Sequence, residues 1–179
     1  MRVFLTQGLE GARQAKGLAV IIDVFRAFTT ACFVHAAGGE ILAVAAEDQA
    51  RALAGTLPGS LLMGERDCVP LPGFDFGNSP ALVEGRDLSG RTVVFTTSAG
   101  TQGLAAASGA EEIVTGSFVN ARAVVEHIRA RDPETVTLVA LGESGLWPSP
   151  EDTMCAIYIK NELEGFPNSF ETLARYLRD

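Results

Sequence analysis

The chain has few of the residues that metal clusters, disulfide frameworks and nucleic-acid binding require. Its 179 residues include two histidines and three cysteines, and no two cysteines form a CxxC pair. This scarcity argues against a thiolate zinc cluster and against a disulfide framework. Acidic residues outnumber basic ones by 22 to 14, the net charge is −8, and no basic stripe is visible. We therefore expect no nucleic-acid partner.

Long apolar runs are also absent. The longest, residues 18–22, is too short to span a bilayer, and the opening MRVFLTQGLEG lacks the pattern of a signal peptide. Hydrophobic residues still make up 47% of the chain, which is enough for a proper core. These features predict a soluble, cytoplasmic protein with no membrane partner. We expect one α/β domain over residues 1–179, short at its C-terminal end because no strand follows the last predicted helix.

Strand-like and helix-like segments alternate along the chain. Residues 18–24 (LAVIIDV) form a continuous apolar run, typical of a strand buried on both faces, and a helical pattern follows over residues 27–37. The repeated alternation predicts a three-layer α/β/α fold with a largely parallel sheet, and it leaves open a small second subdomain. Further strands are predicted at 40–45, 60–65, 92–96, 112–115 and 135–141, and further helices at 47–57, 80–84, 100–107, 121–131, 151–163 and 169–177.

Carboxylates follow most of the predicted strands. In open α/β sheets ligands bind beyond the carboxyl ends of the strands, so these residues should meet at one edge. Crowded carboxylates raise each other's pKa, and a fold tolerates them mainly when a cation is present; oxygen ligands favour Mg²⁺. The alternative is that these residues are polar because solvent begins where a strand ends. The acids concerned are Asp23, Glu65, Glu143, Glu151 and Asp152.

Two arginines and a hydroxyl-rich turn are candidates for anion binding. Arg26 and Arg66 suit bidentate recognition of phosphate, carboxylate or sulfonate oxygens, although each has an acid nearby as an alternative partner. The turn TTSAGT, residues 96–101, joins a strand to a helix and so directs backbone N–H groups at an anion. Thr97 or Ser98 is equally suited to capping that helix.

The only long irregular stretch, residues 66–80, contains GFDFGNSP. Irregular loops of this length are usually functional or mobile. Asp75 is a candidate metal ligand or base, and Asn78 and Ser79 are candidate hydrogen-bond donors to an anion. The alternative is a surface turn before a short helix. Cys68, in the same loop, is a weak candidate for a nucleophile because it lies beside both an arginine and a carboxylate.

Several common catalytic signatures are missing. The chain contains no Walker GK[ST], GxGxxG, GxSxG or HExxH motif, and no DxDx[TV] pattern of aspartyl-phosphate phosphatases. The ordered series VIIDVFRAFTT, GER, GFDFGNSP, TTSAGT, GSFVNA and PEDTMCA, over residues 18–157, instead resembles the 2-phosphosulfolactate phosphatase family. Members of that family usually have asparagine where this chain has Ala99, and they are generally longer at the C-terminus.

The resemblance implies a Mg²⁺-dependent hydrolase that converts 2-phospho-3-sulfolactate to 3-sulfolactate and phosphate, a step of coenzyme M biosynthesis. It also implies an α/β fold unrelated to the aspartyl-phosphate phosphatases. Two alternatives remain: a phosphatase for another small phosphorylated hydroxy acid, and a non-catalytic anion-binding relative. A covalent intermediate on cysteine or serine stays open, and a homodimer is expected only because such enzymes are commonly oligomeric.

The site hypothesis assigns three roles. Catalytic residues include a general base, for which Glu65 and Asp75 are the leading candidates. The predicted catalytic residues are Asp23, Arg26, Glu65 and Asp75. The predicted metal ligands are drawn from Asp23, Glu65, Asp75, Glu151 and Asp152. The predicted substrate-binding residues are Arg66, Asn78, Ser79, Thr97, Ser98, Gly100 and Thr101.

Overall fold

The computed structural model describes residues 1–178, and it has the predicted α/β/α architecture. Asp179, the last residue of the predicted domain, lies outside the described residues. The strands are β1 (Arg2–Gln7), β2 (Leu18–Ile22), β3 (Glu40–Ala43), β4 (Leu61–Arg66), β5 (Val69–Pro70), β6 (Thr92–Thr96), β7 (Glu112–Gly116) and β8 (Thr135–Ala140). The helices are α1 (Gly8–Arg13), α2 (Ala27–Ala36), α3 (Glu47–Thr56), α4 (Gly100–Ala106), α5 (Ala121–Arg131), α6 (Pro150–Glu164) and α7 (Phe170–Tyr176).

The strands form two sheets of four. The first has the order β1-β8-β2-β7 and is parallel throughout. The second has the order β3-β6-β4-β5, in which β5 alone runs antiparallel. The parallel strands of each sheet deliver their carboxyl ends to one edge, where their connections to the helices begin.

Strand β2 is buried on both faces, as its continuous apolar run predicts. Leu18, Val20 and Ile22 point into a core formed with α5 and α6. Ala19 and Ile21 point into a second core, which also contains apolar residues of α2, β4 and β6. The two cores therefore lie on opposite faces of the first sheet, and the second core joins that sheet to the other one.

The N-terminal elements β1 and α1 and the short strand β5 were not predicted from the sequence. Strand β1 lies at a sheet edge, where Val3 and Leu5 pack on the core while Phe4 is exposed, so its apolar signal is weak. Helix α1 contains two glycines, which are poor helix formers. The predicted helix at 80–84 is a single 3₁₀ turn at Pro80–Leu82. Among the helices described for residues 1–178, none is long and apolar enough to cross a membrane.

Two helical glycines should respond in opposite ways to replacement by alanine. A Cβ at Gly103 in α4 would lie 2.6 Å from Leu141 Cδ1 and 2.9 Å from Ile21 Cγ2, whereas one at Gly55 in α3 would meet nothing within 4 Å. We expect Gly103→Ala to lower the free energy of unfolding by about 1–3 kcal/mol through overpacking. Gly55→Ala should raise it by roughly 0.5–1 kcal/mol because alanine loses less backbone entropy. Urea unfolding measures both, and equal effects at the two positions would contradict the packing described for α4.

Candidate active site

A cleft of about 490 Å³ lies at the carboxyl ends of strands from both sheets. Its walls come from the residues after β2, β6 and β8, the end of β4, and the first turn of α6. Arg26 is the one basic side chain among the described residues that line it. The acidic side chains in the lining are Asp23, Glu65, Asp67, Glu143, Glu151 and Asp152. Of the residues proposed from the sequence, the cleft brings together Asp23, Arg26, Glu65, Asn78, Ser98, Glu151 and Asp152.

Asp152 joins three segments at the floor of the cleft. It lies in the first turn of α6, where a negative charge is favoured by the helix dipole, and only 3% of it is exposed. Its Oδ1 accepts the N–H of Val24 at 2.7 Å, and its Oδ2 accepts the N–H of Gly142 at 2.8 Å. Asp152 therefore fixes the exits of β2 and β8 side by side. Burial raises the pKa of Asp152 to about 6, against the lowering effect of those two hydrogen bonds.

Asp23 is the most perturbed acid of the cleft. It follows β2 directly and accepts the N–H of Ala27 at 3.0 Å, at the start of α2. Burial raises the pKa of Asp23 to about 7, and the neighbouring charge of Asp152 adds to the effect. A buried carboxylate with a raised pKa in a cleft is a common mark of a functional site.

Glu65, at the end of β4, is held by hydrogen bonds from two loops. Its Oε1 accepts the N–H of Ser98 at 2.8 Å, and its Oε2 accepts the Ser98 hydroxyl at 3.0 Å and the N–H of Cys68 at 2.9 Å. The carboxylate is 7% exposed. The backbone N–H of Ser98, which the sequence suggested for anion binding, is thus directed at a carboxylate of the protein itself.

Arg26 and Asn78 are the residues of the cleft most suited to contact a ligand. Arg26 is exposed at the N-terminus of α2 and has no side-chain hydrogen bond or ion pair among the contacts of the described residues. Asn78 is 9% exposed, and its buried Oδ1 has no hydrogen-bond partner. An unpaired buried carbonyl oxygen costs free energy, so Asn78 fits a site that a polar or cationic group completes.

The structure does not bring Asp75 to the cleft. The Asp75 Oδ2 accepts the N–H of Leu62 at 2.8 Å, so this side chain fastens the loop to β4. Ser79 also lies outside the lining, at the start of the 3₁₀ turn, where its carbonyl accepts the N–H of Leu82.

Arg66 likewise has a structural set of partners. It donates to the Thr96 hydroxyl at 2.8 Å, to the carbonyl of Ala45 at 3.1 Å and to the carbonyl of Glu65 at 2.6 Å. These bonds tie the ends of β4 and β6 to Ala45, the second residue after β3. Arg66 is therefore engaged beneath the cleft rather than in its lining.

Three further residues of TTSAGT, Thr97, Gly100 and Thr101, were predicted to bind substrate but lie outside the lining of the cleft. Thr97 and Thr101 bond reciprocally: each backbone N–H donates to the other hydroxyl, at 2.9 and 3.1 Å. Gly100 lies against Asp23, because a Cβ there would be 3.0 Å from the Asp23 Oδ2.

Two residues of the lining, Phe25 and Asp67, were not predicted from the sequence as site residues. Phe25 is 68% exposed beside Arg26, and Asp67 follows Arg66 at the rim of the cleft. Asp67 could have been predicted from the sequence, because it is one more carboxylate at the carboxyl end of a strand. An exposed phenylalanine carries no comparable signal before the fold is known.

The cleft fits a magnesium ion of the kind that is shared with a substrate. Within residues 1–178, no group of three histidine, cysteine or acidic side chains is gathered closely enough to form a ready metal cage. Magnesium commonly binds through one or two carboxylates, with waters and phosphate oxygens as the other ligands. Asp23 and Glu151, which both line the cleft, are carboxylates that could hold such an ion.

Fold and cleft together define an α/β protein with an acidic cleft at the carboxyl ends of its parallel strands. The family model described as 2-phosphosulpholactate phosphatase matches residues 4–176. The chain therefore belongs to the 2-phosphosulpholactate phosphatase family, as its motifs predict.

Curated relatives agree with this assignment. The chain is 42% identical over 130 residues to a protein of Deinococcus radiodurans, covering 72% of this chain and 54% of the relative. It is 32% identical over 168 residues to one of Bacillus subtilis, covering 92% and 72%. It is 35% identical over 157 residues to one of Trichormus variabilis, covering 86% and 64%. Each is named "Probable 2-phosphosulfolactate phosphatase", and this chain spans 54% to 72% of their lengths.

In the metal-free protein, Asp23 should make stability depend on pH. Its pKa of about 7 in the folded chain exceeds the ordinary 3.8, so the folded state binds the extra proton between these values. The stability that the folded state gains from binding this proton is fully present at low pH and is lost as the pH rises through about 7. The unfolding free energy of Asp23→Asn relative to wild type should therefore rise with pH, on the order of a few kcal/mol.

Urea unfolding in EDTA at several pH values measures this difference. Glu84→Gln, which removes an exposed carboxylate, is the control and should show no such trend. A difference between Asp23→Asn and wild type that stays constant with pH would contradict the perturbed environment of Asp23.

Proposed function

We propose that the chain is a Mg²⁺-dependent phosphatase that hydrolyses 2-phospho-3-sulfolactate to 3-sulfolactate and phosphate. Family membership supports the reaction, and the relatives bear its name. The observation that carries the proposal is the cleft itself, in which the buried Asp23 and Asp152 lie with Glu151 and face the exposed Arg26. In the reaction, water adds to phosphorus, the P–O ester bond breaks, and the released hydroxy acid takes up a proton.

Charge balance favours a cation in this cleft. The substrate carries a phosphate, a sulfonate and a carboxylate, while the described lining has six acids and one arginine. Without a cation, the acids of the cleft would repel this ligand. A divalent cation held by the carboxylates of the cleft would remove this conflict. Bound Mg²⁺ would offset charge on the phosphoryl group and lower the pKa of the attacking water.

Asp23 and Glu151 are the carboxylates that we assign to the ion. Asp23 is buried at the floor, and Glu151 lies next to Asp152 in the first turn of α6. Asp152 already accepts a backbone N–H at each oxygen, so its role is to hold the floor in place. Arg26 would bind the anionic oxygens of the substrate and stabilise charge that develops in the transition state.

A second candidate is a phosphatase for another small phosphorylated hydroxy acid. Ala99 lines the cleft and is 9% exposed, in the position where the family resemblance leads one to expect an asparagine. Replacing an amide by a methyl group removes a hydrogen-bonding partner from the pocket wall. A pocket changed in this way can prefer a substrate with fewer polar groups.

Phosphate release should depend on the metal. We expect the purified chain to release phosphate from 2-phosphosulfolactate in Mg²⁺ buffer, and EDTA to lower the rate by on the order of 100-fold or more. Asp23→Asn should lower kcat/KM by a similar factor, because a neutral amide binds the ion weakly. Turnover that is unchanged by EDTA would contradict the metal proposal. Thermal stabilisation by the ligand without any turnover would indicate a binding protein instead.

Ala99→Asn tests which substrate the pocket prefers. If the pocket is built for 2-phosphosulfolactate, the added amide should raise kcat/KM for it, by about 10-fold for one restored hydrogen bond. The control panel is 2-phospholactate and 3-phosphoglycerate, measured with both proteins. Wild-type turnover of either control compound above that of 2-phosphosulfolactate would favour the second candidate.

A further inference from the structure

The carboxylate of Glu65 is committed to hydrogen bonds within the protein. It is buried, and it accepts the N–H and the hydroxyl of Ser98 and the N–H of Cys68, at 2.8 to 3.0 Å. The Ser98 hydroxyl in turn accepts the N–H of Asp67 at 2.9 Å. These bonds connect the turn after β4 to the loop between β6 and α4. A residue held in this way is suited to fixing geometry rather than to giving up an oxygen to a ligand.

The turn that Glu65 holds has an unfavourable backbone for its sequence. Arg66 and Val69 pair across β4 and β5, which leaves Asp67 and Cys68 as a two-residue hairpin loop. Both have positive φ, of 50° and 64°, as a type I′ turn requires. Glycine, asparagine and aspartate adopt this conformation more readily than other residues, so Cys68 is the strained position of the turn. The N–H groups of both Asp67 and Cys68 are bonded into the Glu65–Ser98 network.

The same network reaches Asp23. Two residues after Ser98, Gly100 packs against the start of α2 so closely that a Cβ there would lie 2.6 Å from the Ala27 Cβ and 3.0 Å from the Asp23 Oδ2. The backbone N–H of Gly100 also lowers the pKa of Asp23, although this is the smallest effect on it, after burial, Asp152, Ala27 and Glu65. The position of Ser98 therefore sets the wall against which Asp23 lies.

We propose that Glu65 is a positioning residue, which holds the Asp67–Cys68 turn and the Ser98–Gly100 wall around Asp23. It is neither a metal ligand nor the general base of the hydrolysis. This inference rests on the proposed function for its kinetic consequence. Its structural consequence, a held turn, does not depend on that function.

Replacing Glu65 by glutamine, alone and together with a change at Cys68, distinguishes a positioning role of Glu65 from a role as metal ligand or general base. In Glu65→Gln an NH₂ group replaces one acceptor oxygen, so bonds to Ser98 or Cys68 are lost and the strained turn is released. We expect a lower Tm in EDTA and a 10- to 100-fold lower kcat/KM, the size typical of residues that orient a ligand. In Glu65→Gln/Cys68→Gly, glycine adopts the positive φ without strain, so part of both losses should be recovered.

Calorimetric Mg²⁺ binding without substrate is the readout that distinguishes positioning from ligation. The Mg²⁺ affinity of Glu65→Gln should fall by less than about tenfold, the lower end of the loss seen when a supporting group is removed, because the Glu65 oxygens bond to Ser98 and Cys68 rather than to the ion. Cys68→Gly alone is the control for the double variant, because it shows the effect of the glycine when Glu65 is intact. Glu143→Gln is the matched loss of a carboxylate from the same cleft, and because Glu143 is exposed it should not lower the Tm in EDTA.

Two results would overturn the proposal. One is a fall in Mg²⁺ affinity of more than about tenfold in Glu65→Gln without rescue by glycine, because that is the effect of a lost ligand. The other is a Tm and a kcat/KM for Glu65→Gln equal to those of wild type. Absence of phosphatase activity in the wild-type protein would refute the proposed function only. The Tm, its rescue and the Mg²⁺ affinity would still decide the role of Glu65.

Discussion

Buried carboxylates that accept backbone N–H groups hold together the loops at the carboxyl ends of the parallel strands. Asp152 joins the exits of β2 and β8, and Glu65 joins the turn after β4 to the loop after β6. Charge-assisted bonds of this kind are stronger than bonds between neutral groups, and the two to Asp152 satisfy donors that would otherwise be buried unpaired. The cleft exists in its observed form because these bonds set the distances between its walls.

This construction places negative charges close together where solvent is partly excluded. The effect is largest at Asp23, whose pKa rises to about 7 through burial and then through the charge of Asp152. A carboxylate that resists ionisation lowers the stability of the empty protein near neutral pH. A divalent cation reverses that cost, so the features that destabilise the empty cleft also favour a metal ion within it. If Asp23 holds the proposed cation, stability of the empty protein and binding of the ion are opposed at this residue.

The sequence predicted the framework of the cleft better than the direction of its side chains. The apolar run of β2 and the polar residue after it place Asp23 at the edge of the sheet, and the same reasoning applies to Asp152. A pattern of residue types does not show which of several nearby donors a side chain will bind. Asp75 bonds to β4 and Arg66 to the ends of neighbouring strands, and those partners come from distant parts of the chain. Their directions therefore depend on tertiary contacts that a local pattern does not contain.

In the turn TTSAGT, too, the local pattern did not show which partners the polar groups bind, and this affects how a substrate can be recognised. Its N–H groups and hydroxyls have the arrangement expected of an anion site, yet Ser98 binds Glu65, and Thr97 and Thr101 bind each other. The protein uses the anion-binding capacity of this turn for its own carboxylates. Under the proposed function, recognition of an anionic substrate is then left to Arg26 and to the cation assigned to Asp23 and Glu151. Discrimination between substrates should accordingly be sought at the wall around Ala99 rather than in the phosphate-binding part of the cleft.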